Sequence, residues 1–255
     1  FVPLFASDFV ADTLVAPQVE GRLDVATPSI LHQGEIAGWR YLVMTRVPGR
    51  PLGVIWHEIG QENRQAIAHQ AGQLIARLHS LSVQGLEELA VDWPAFVKQQ
   101  VATAAERHHN GEVPQPLIAQ IPAFVKSTSA QLIDCPEPVL LLADITTEHL
   151  LLFNDGGSWQ IVGYVDFGDA FVGHPEYELV APGLEIARGD ARLLRALLLS
   201  AGYSESELNW ALSRRLMAFT LLHRFVKLAD ILNIVPQARG ITDLEHLTQI
   251  LWPVC

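Results

Sequence analysis

A hairpin flanked by two aspartates constrains the fold of this chain more than any other feature of its sequence. Residues 139–166 contain three short apolar runs, and the Asn-Asp-Gly-Gly turn between the last two favours the positive φ angles of a tight hairpin. Asp144 follows the first run, His149 precedes the second, and Asp166 follows the third. Because a hairpin brings the start of one strand beside the end of the next, we expect these three side chains to converge.

Two carboxylates and an imidazole beside a cleft suit a divalent metal ion with a nearby base. Aspartate oxygens are good ligands for Mg²⁺, which usually keeps water and phosphate oxygens as its other ligands. In the alternative interpretation, Asp144 and Asp166 only cap turns and face solvent. A metal-dependent hydrolase, in which the same residues hold the ion, is a further possibility.

The composition narrows the class of protein. The chain has 255 residues, of which 49% are hydrophobic, and this is enough for a large core. A net charge of −11 argues against nucleic acid as a partner and is compatible with a cationic substrate or with solubility alone. No stretch approaches the roughly 18 apolar residues that cross a bilayer, so no membrane is expected. Because no basic segment followed by an apolar run opens the chain either, a cytoplasmic protein is expected. Two cysteines without metal-type spacing indicate free thiols.

The chain divides at a segment rich in proline and glycine, VPGRPLG, at residues 47–53. Residues 1–48 are rich in short β-type runs and are predicted to form a small lobe that ends in a hinge strand. A helix over residues 7–23 is expected to be interrupted by Pro17, because proline lacks the backbone N–H of a helix interior.

Residues 49–255 are mainly helical apart from the hairpin at 139–166. Apolar periodicity and a capping-box spacing predict one long helix over residues 204–234. Two histidines on helical patterns, His79 and His223, are interpreted as ordinary core or surface residues, because no partner spacing indicates a metal site.

The hairpin and its surroundings resemble a known family. The order strand, Asp144, five-residue step to His149, hairpin and Asp166-Phe167-Gly168, continued by GHPEYELVAP, resembles the catalytic core of the aminoglycoside phosphotransferases, relatives of choline kinase and protein kinases. YLVMTRVPGRPL resembles their hinge strand, and QLIARLHSL resembles the helix end that follows it. The resemblance covers most of residues 30–230. It implies an α+β, protein kinase-like two-lobe fold with a reduced β-rich N-terminal lobe and a mostly helical C-terminal lobe.

This resemblance also implies a function, an ATP-dependent phosphotransferase acting on a hydroxyl of a small aminoglycoside-, choline- or sugar-like molecule. Asp144 is expected to orient or deprotonate that hydroxyl, and Asp166 with His149 to hold Mg²⁺ or Mn²⁺ at the phosphates of ATP or GTP. Candidate nucleotide contacts are Met44, Thr45, Arg46, Val47 and Glu20, of which Glu20 stands for the helix glutamate that pairs with the phosphate-binding lysine. Candidate substrate contacts are Asp169, His174, Glu176 and Tyr177.

Departures from the family pattern keep a second interpretation open. The family usually has His-Gly where this chain has Leu142-Ala143, and asparagine where it has His149, whose nitrogen makes Mn²⁺ an alternative to Mg²⁺. No lysine precedes Lys98, and the expected lysine-bearing strand, FVPLF, begins the chain without an initiator methionine. We therefore expect either a longer native protein or an incomplete ATP site. An incomplete site would make the chain a catalytically impaired, kinase-like binding module.

Overall fold

The computed structural model describes residue 1 and residues 5–109, 112–135 and 137–254. Its helices are α1 (Ala6–Val19), α2 (Leu52–Ile55), α3 (Gln61–His79), α4 (Trp93–His108), α5 (Gln115–Ile133), α6 (Pro175–Glu178), α7 (Val180–Pro182), α8 (Ala191–Ser200), α9 (Trp210–Leu222), α10 (Leu228–Ile234) and α11 (Leu244–Leu251). Its strands are β1 (Ile30–Ile36), β2 (Trp39–Met44), β3 (Arg50–Pro51), β4 (Val139–Leu141), β5 (Leu150–Asp155), β6 (Ser158–Tyr164) and β7 (Phe171–Gly173). Most of the strand expected over residues 1–5 lies outside the described residues.

Helix α1 is one continuous helix, and the expected interruption at Pro17 is wrong. Pro17 lies in the last turn, so the helix loses the hydrogen bond from position 17 to the Thr13 carbonyl, but only two helical residues follow it. Val15 and Val19 on the opposite face are fully buried, and the helix contacts both β1 and β2. The described N-terminal part is therefore a helix packed on a two-stranded hairpin.

The hairpin of β5 and β6 forms as predicted. Its strands pair from Leu150 opposite Tyr164 to Asp155 opposite Ser158, and Gly156 and Gly157 supply the two positive φ angles of the turn. Strand β3 pairs along the other edge of β5, whereas β4 pairs with β7 in a separate two-stranded sheet. A bridge between Ala26 and Gly163 on β6 connects the hairpin to the N-terminal part of the chain.

The helical part is built around a close contact between α3 and α8. A Cβ added at Gly72 would lie 2.2 Å from the Leu197 carbonyl oxygen, so only glycine permits this approach. Helices α4, α5 and α9 pack together in a second group. No helix in the described part of the chain combines the length and apolar character that crossing a membrane requires.

The long helix predicted over residues 204–234 is wrong, because the chain forms two helices there. The side chain of Asn209 caps α9 by accepting a hydrogen bond from the Leu212 N–H. The chain then leaves helical geometry over residues 223–227 before α10 begins. His108 fixes both sides of this break, with Nε2 2.9 Å from the Leu221 carbonyl oxygen and Nδ1 accepting from the Leu228 N–H at 3.2 Å.

Protonation of His108 is expected to destabilise the protein. Burial lowers the pKa of His108 from 6.5 to about 4, so the unfolded chain binds this proton more readily between those pH values. The stabilising contribution of neutral His108 is therefore lost as the pH falls from 6.5 towards 4. The free energy of unfolding should fall by up to about 1.4 kcal/mol per pH unit through this one group.

Urea unfolding at pH 7 and pH 5 measures this contribution. His108→Gln, which cannot titrate, should lose less stability than the unaltered protein over the same pH step. An equal loss in both proteins would show that His108 does not carry the effect.

Candidate active site

The loop after β4 holds Asp144 through its backbone. Ala143 has a left-handed φ of 61°, an uncommon conformation for a residue with a Cβ. The Leu142 and Ala143 N–H groups donate to the two carboxylate oxygens of Glu178, at 2.6 and 2.9 Å. On the other side, the Tyr164 hydroxyl donates to the Asp144 carbonyl at 3.2 Å. These contacts fix the position of the Asp144 side chain.

Glu178 is a buried residue whose role the sequence did not reveal. It is only 1% exposed, and this burial raises its pKa to about 8. The two hydrogen bonds from the backbone have the opposite, smaller effect on the pKa. The one available signal was an acidic residue inside the apolar run of GHPEYELVAP. A carboxylate this far from solvent is retained where its hydrogen bonds hold a specific backbone conformation.

Glu178→Leu is expected to destabilise the protein by about 3 kcal/mol, because each buried N–H left without an acceptor costs roughly 1–3 kcal/mol. Urea denaturation gives the free energy of unfolding. Glu88→Leu makes the same change at an exposed position and is the matched control. A loss below about 1 kcal/mol in Glu178→Leu would contradict the role of this carboxylate.

The three residues predicted to converge do lie together. The His149 Nδ1 atom is 3.0 Å from the Asp144 carbonyl oxygen and 3.2 Å from its carboxylate Oδ2. The His149 Nε2 atom is 3.8 Å from Asp166 Oδ2. Asp166 has a left-handed φ of 77°, and unusual backbone conformations of this kind cluster at functional sites.

This arrangement fits a divalent metal ion. Because the acceptors around Nδ1 place the ring proton there, a neutral His149 keeps a lone pair on Nε2, facing Asp166. Metal-binding histidines usually donate their other N–H to a carboxylate or a carbonyl, and His149 has both at Asp144. In the described residues, no three His, Cys, Asp or Glu side chains form a cage for a metal ion. Two protein ligands with open positions match Mg²⁺ sites that are completed by phosphate oxygens.

Helix α1 adds acidic side chains to this site. Asp12 accepts a hydrogen bond from the Phe167 N–H at 3.1 Å, directly after Asp166. Burial raises the pKa of Asp12 to about 6, opposed by that hydrogen bond and reinforced by the carboxylates of Asp166, Asp8 and Asp169. The excess of negative charge favours a bound cation.

The residue of α1 that lies beside Asp166 and Phe167 is Asp12, whereas the sequence analysis chose Glu20 on this helix. Glu20 lies at the C-terminal end of α1 and accepts a hydrogen bond from the Ser29 hydroxyl at 2.5 Å. With a rise of 1.5 Å per residue, it is about 12 Å beyond Asp12 along the helix. The sequence analysis did not single out Asp12, because its contact with Phe167 joins residues that are 155 positions apart.

The predicted nucleotide segment 44–47 connects β2 to the hairpin. Met44 ends β2, and the Thr45 N–H donates to the Ser29 carbonyl at 2.9 Å, so it is not free for a ligand. Within the described residues, the backbone groups of Arg46 and Val47 make no hydrogen bond. Those two residues can therefore present backbone donors and acceptors to a nucleotide base.

The four residues predicted to contact substrate lie in different environments. Asp169 is half-buried near the site, where its Oδ1 accepts a hydrogen bond from Arg224 at 3.2 Å. Glu176 and Tyr177 are buried in the packed interior, so the expectation that they contact substrate needs correction. His174 is half-buried, and its contact with substrate stays a prediction. The Glu176 carboxylate forms an ion pair with Arg215 at 2.7 Å. The Tyr177 hydroxyl accepts a hydrogen bond from the Arg224 backbone N–H at 2.9 Å.

Two cavities open beside Asp144. One, of about 130 Å³, lies between Asp144 and α10, and the other, of about 360 Å³, extends past His149 to Arg188. They share Asp144, Thr146, Glu185 and Ile234. Glu185 supports the loop by accepting hydrogen bonds from the N–H and the hydroxyl of Thr147, both at 2.8 Å. The Asp144 carboxylate is thus the point at which a molecule in either cavity meets the site.

The sequence of this chain matches the model of one protein family over most of its length. The model of the family described as the phosphotransferase enzyme family matches residues 11–211. This range includes Asp12, the segment 44–47 and the hairpin with Asp144 and Asp166. The match therefore spans every element that forms the site apart from α9 to α11.

Solved structures of phosphotransferases have a similar fold. The GDP complex of wild-type aminoglycoside 2'-phosphotransferase-IIIa has a TM-score of 0.70 and 16% sequence identity, with 99% of this chain and 83% of that chain covered. The streptomycin-ATP-APH(2")-IIa ternary complex has a TM-score of 0.58 and 15% identity, with 86% of this chain and 74% of that chain covered. The α+β, protein kinase-like two-lobe fold expected from the sequence is confirmed.

One similar curated protein is much longer than this chain. Lysine-specific demethylase JMJ21 of Arabidopsis thaliana is 22% identical over 271 aligned positions, which cover 84% of this chain and 28% of that protein. The chain thus spans little more than a quarter of that relative's length. The relative's name describes the longer protein, of which this chain matches one segment.

Proposed function

The chain belongs to the phosphotransferase enzyme family, and on this basis we propose that it transfers the γ-phosphoryl group of a nucleoside triphosphate to a hydroxyl of a small molecule. One observation carries the proposal. Asp144, His149 and Asp166 converge where two cavities meet, as a phosphoryl transfer site requires. Catalysis in such a site comes mainly from positioning and from neutralising the phosphate charge.

Asp144 is the proposed catalytic residue. Burial raises its pKa to about 6, although His149 opposes the shift, so the carboxylate is mainly ionised at neutral pH and accepts protons well. In the proposed step, the acceptor oxygen bonds to the γ-phosphorus while the bond from that phosphorus to the β-phosphate oxygen breaks. The hydroxyl proton passes to Asp144, and the nucleoside diphosphate leaves.

Asp166 Oδ2 and His149 Nε2 are the proposed ligands of Mg²⁺ or Mn²⁺. When bound, the ion neutralises charge on the transferring phosphates. The nitrogen ligand of His149 suits Mn²⁺ better than it suits Mg²⁺. His149 also positions Asp144 through its Nδ1 hydrogen bond.

ATP or GTP is the proposed phosphoryl donor, since one structural neighbour contains ATP and another is a GDP complex. The base is proposed to meet Arg46 and Val47, where the lobe of residues 1–48 joins residues 49–255. Streptomycin in one neighbour and the net charge of −11 support a cationic hydroxyl acceptor. A cytoplasmic location is proposed from the sparse cysteines.

Two other functions remain as competitors. The absence of lysine before Lys98 favours a kinase-like binding module, which would bind a nucleotide or a partner without turnover. A metal-dependent hydrolase would use the same Asp144, His149 and Asp166, and its activity would not depend on a nucleotide.

A ³¹P NMR time course tests the proposal. The protein is incubated with ATP or GTP and Mg²⁺ or Mn²⁺, together with kanamycin, choline or glucose as the acceptor. A phosphomonoester signal that grows with loss of the γ-phosphate signal supports the proposal. Bound nucleotide with no turnover for any of these acceptors would favour the binding module.

A further inference from the structure

Arg188 is a half-buried arginine that lines the 360 Å³ cavity beside Asp144 and His149. Its Nε–H donates to the Glu185 carbonyl at 2.7 Å, and its guanidinium lies over the Trp56 ring, 4.6 Å from the ring centroid. The two terminal nitrogens make no hydrogen bond to any described residue and are open to solvent. The side chain is thus held in place while its two outer donor groups stay free.

A free guanidinium is unexpected in a chain with 28 acidic and 17 basic residues. Other arginines of this chain have a carboxylate partner, namely Arg50, Arg192, Arg195, Arg214, Arg215 and Arg224. Beside Arg188, Arg64 brings a second positive charge, since its guanidinium also lies 4.6 Å from the Trp56 ring centroid. Burial lowers the pKa of Arg188, Glu185 opposes this shift, and Arg64 adds to it. A bound anion would offset the repulsion between the two arginines.

The backbone at Arg188 also indicates a role for its side chain. Arg188 follows the helical turn Gly183–Ala187 and has a left-handed φ of 51°. Glycine or asparagine usually occupies such a position, because the Cβ of other residues is crowded there. Strained residues of this kind cluster at ligand-binding sites. The strain is independent of the missing charge partner, and both observations indicate a ligand at this guanidinium.

The cavity at Arg188 lies on the acceptor side of the site. His149 Nε2 faces Asp166, the proposed metal ligand, and Asp166 does not line this cavity. Asp144, the proposed base, lines it together with Arg188. The proposed donor phosphates and the free guanidinium are therefore on different sides of His149. A molecule in this cavity can reach Asp144 and Arg188 together.

We propose that the acceptor is a hydroxyl compound that also carries an oxyanion, either a carboxylate or a phosphate ester, which pairs with the Arg188 guanidinium. This inference rests on the proposed function for the role of Asp144 at the hydroxyl. The planar fork of arginine matches carboxylate and phosphate oxygens with two parallel hydrogen bonds. A positive charge elsewhere on the acceptor would face Glu148, an exposed carboxylate that lines the same cavity.

Three flexible hydroxyl compounds test the charge preference directly. 6-Hydroxyhexanoate has a carboxylate where 6-hydroxyhexanamide has a neutral amide of the same shape, and 4-hydroxybutyl phosphate has a phosphate ester. Ligand-observed NMR titration, without nucleotide, gives the affinity of each compound. We expect at least one of the two anions to bind about tenfold more tightly than the amide, because hydrogen bonds between two charged groups are the strong ones. The tighter anion identifies the oxyanion, whereas equal affinities of all three compounds, or no binding, would overturn the proposal.

The variant Arg188→Asn assigns this preference to one residue. Asparagine tolerates the left-handed φ, so the fold should be kept, and the anions should bind no more tightly than the amide. Arg192→Asn is the matched control, because it removes the same charge from an exposed residue that does not line the cavity. Arg188→Gly, with the residue that this backbone favours, should behave as Arg188→Asn does. A preference for the anions that survives in both Arg188 variants would refute the role of Arg188.

A competition titration separates the acceptor from the donor. With Mg²⁺ and the non-hydrolysable ATP analogue AMP-PNP present, the preferred anion should bind as tightly as before. Displacement by the analogue would assign Arg188 to the donor phosphates and overturn the acceptor class. None of these titrations needs turnover. Failure of nucleotide binding would therefore refute the proposed function, whereas loss of the anion preference would refute only the acceptor class.

Discussion

Asp144→Asn is expected to lower kcat by about 10²–10⁴-fold, the usual contribution of a positioned general base. The asparagine side chain has the same shape but does not take a proton from the acceptor hydroxyl. Nucleotide affinity should change little, because the proposed nucleotide contacts are Arg46, Val47 and the metal at Asp166. Steady-state kinetics and nucleotide titration together separate these two effects.

Asp155→Asn is the control for this variant. It removes the same charge at the other end of β5, in the turn of the hairpin, and should keep full activity. If Asp144→Asn retained a tenth or more of the wild-type kcat, Asp144 would not be the base.

Asp166→Asn is expected to lower kcat/KM by about 10²-fold or more, because the developing phosphate charge loses its metal ion. Asparagine is the informative replacement because it tolerates the left-handed φ of 77° at this position. The side chain keeps one weak oxygen ligand and loses the negative charge. Nucleotide affinity should also become independent of Mg²⁺ and Mn²⁺.

Calorimetry with each metal present and absent measures that second effect. Asp24→Asn, an exposed aspartate between α1 and β1, controls for the change in net charge. Metal-dependent nucleotide binding that persists unchanged in Asp166→Asn would remove Asp166 from the metal site.

The geometry of the hairpin was predictable from the sequence because its signals are local. The turn Gly156-Gly157, the strand ends and the step from Asp144 to His149 all lie within one segment of the chain. Pairing of two adjacent strands fixes where those side chains go. Residue types and short-range spacing were sufficient for Asp144, His149 and Asp166.

The rest of the site depends on contacts between distant parts of the chain. Glu178 accepts hydrogen bonds from the amides of Leu142 and Ala143 from 36 and 35 residues away, and Asp12 contacts Phe167 across 155 residues. His223 lines the 130 Å³ cavity only because the helix predicted over residues 204–234 breaks there. Sequence periodicity does not indicate these contacts, and Glu176 and Tyr177 were wrongly assigned to the substrate for the same reason.

The proposed function requires that the site binds a nucleotide without a lysine from the N-terminal part. The described site offers the Asp166 and His149 pair for a metal ion, but it offers the phosphates no lysine from the first 97 residues. If metal and backbone contacts suffice, the site binds nucleotide. If they do not suffice, the chain is a binding module or lacks part of its site.

Calorimetric titration of ATP and GTP into the protein, with and without Mg²⁺ or Mn²⁺, tests this most directly. We predict binding at micromolar to low millimolar affinity that requires the metal ion. Absence of binding under all these conditions, with the fold confirmed by circular dichroism, would contradict the assignment of a nucleotide-dependent phosphotransferase site to this chain.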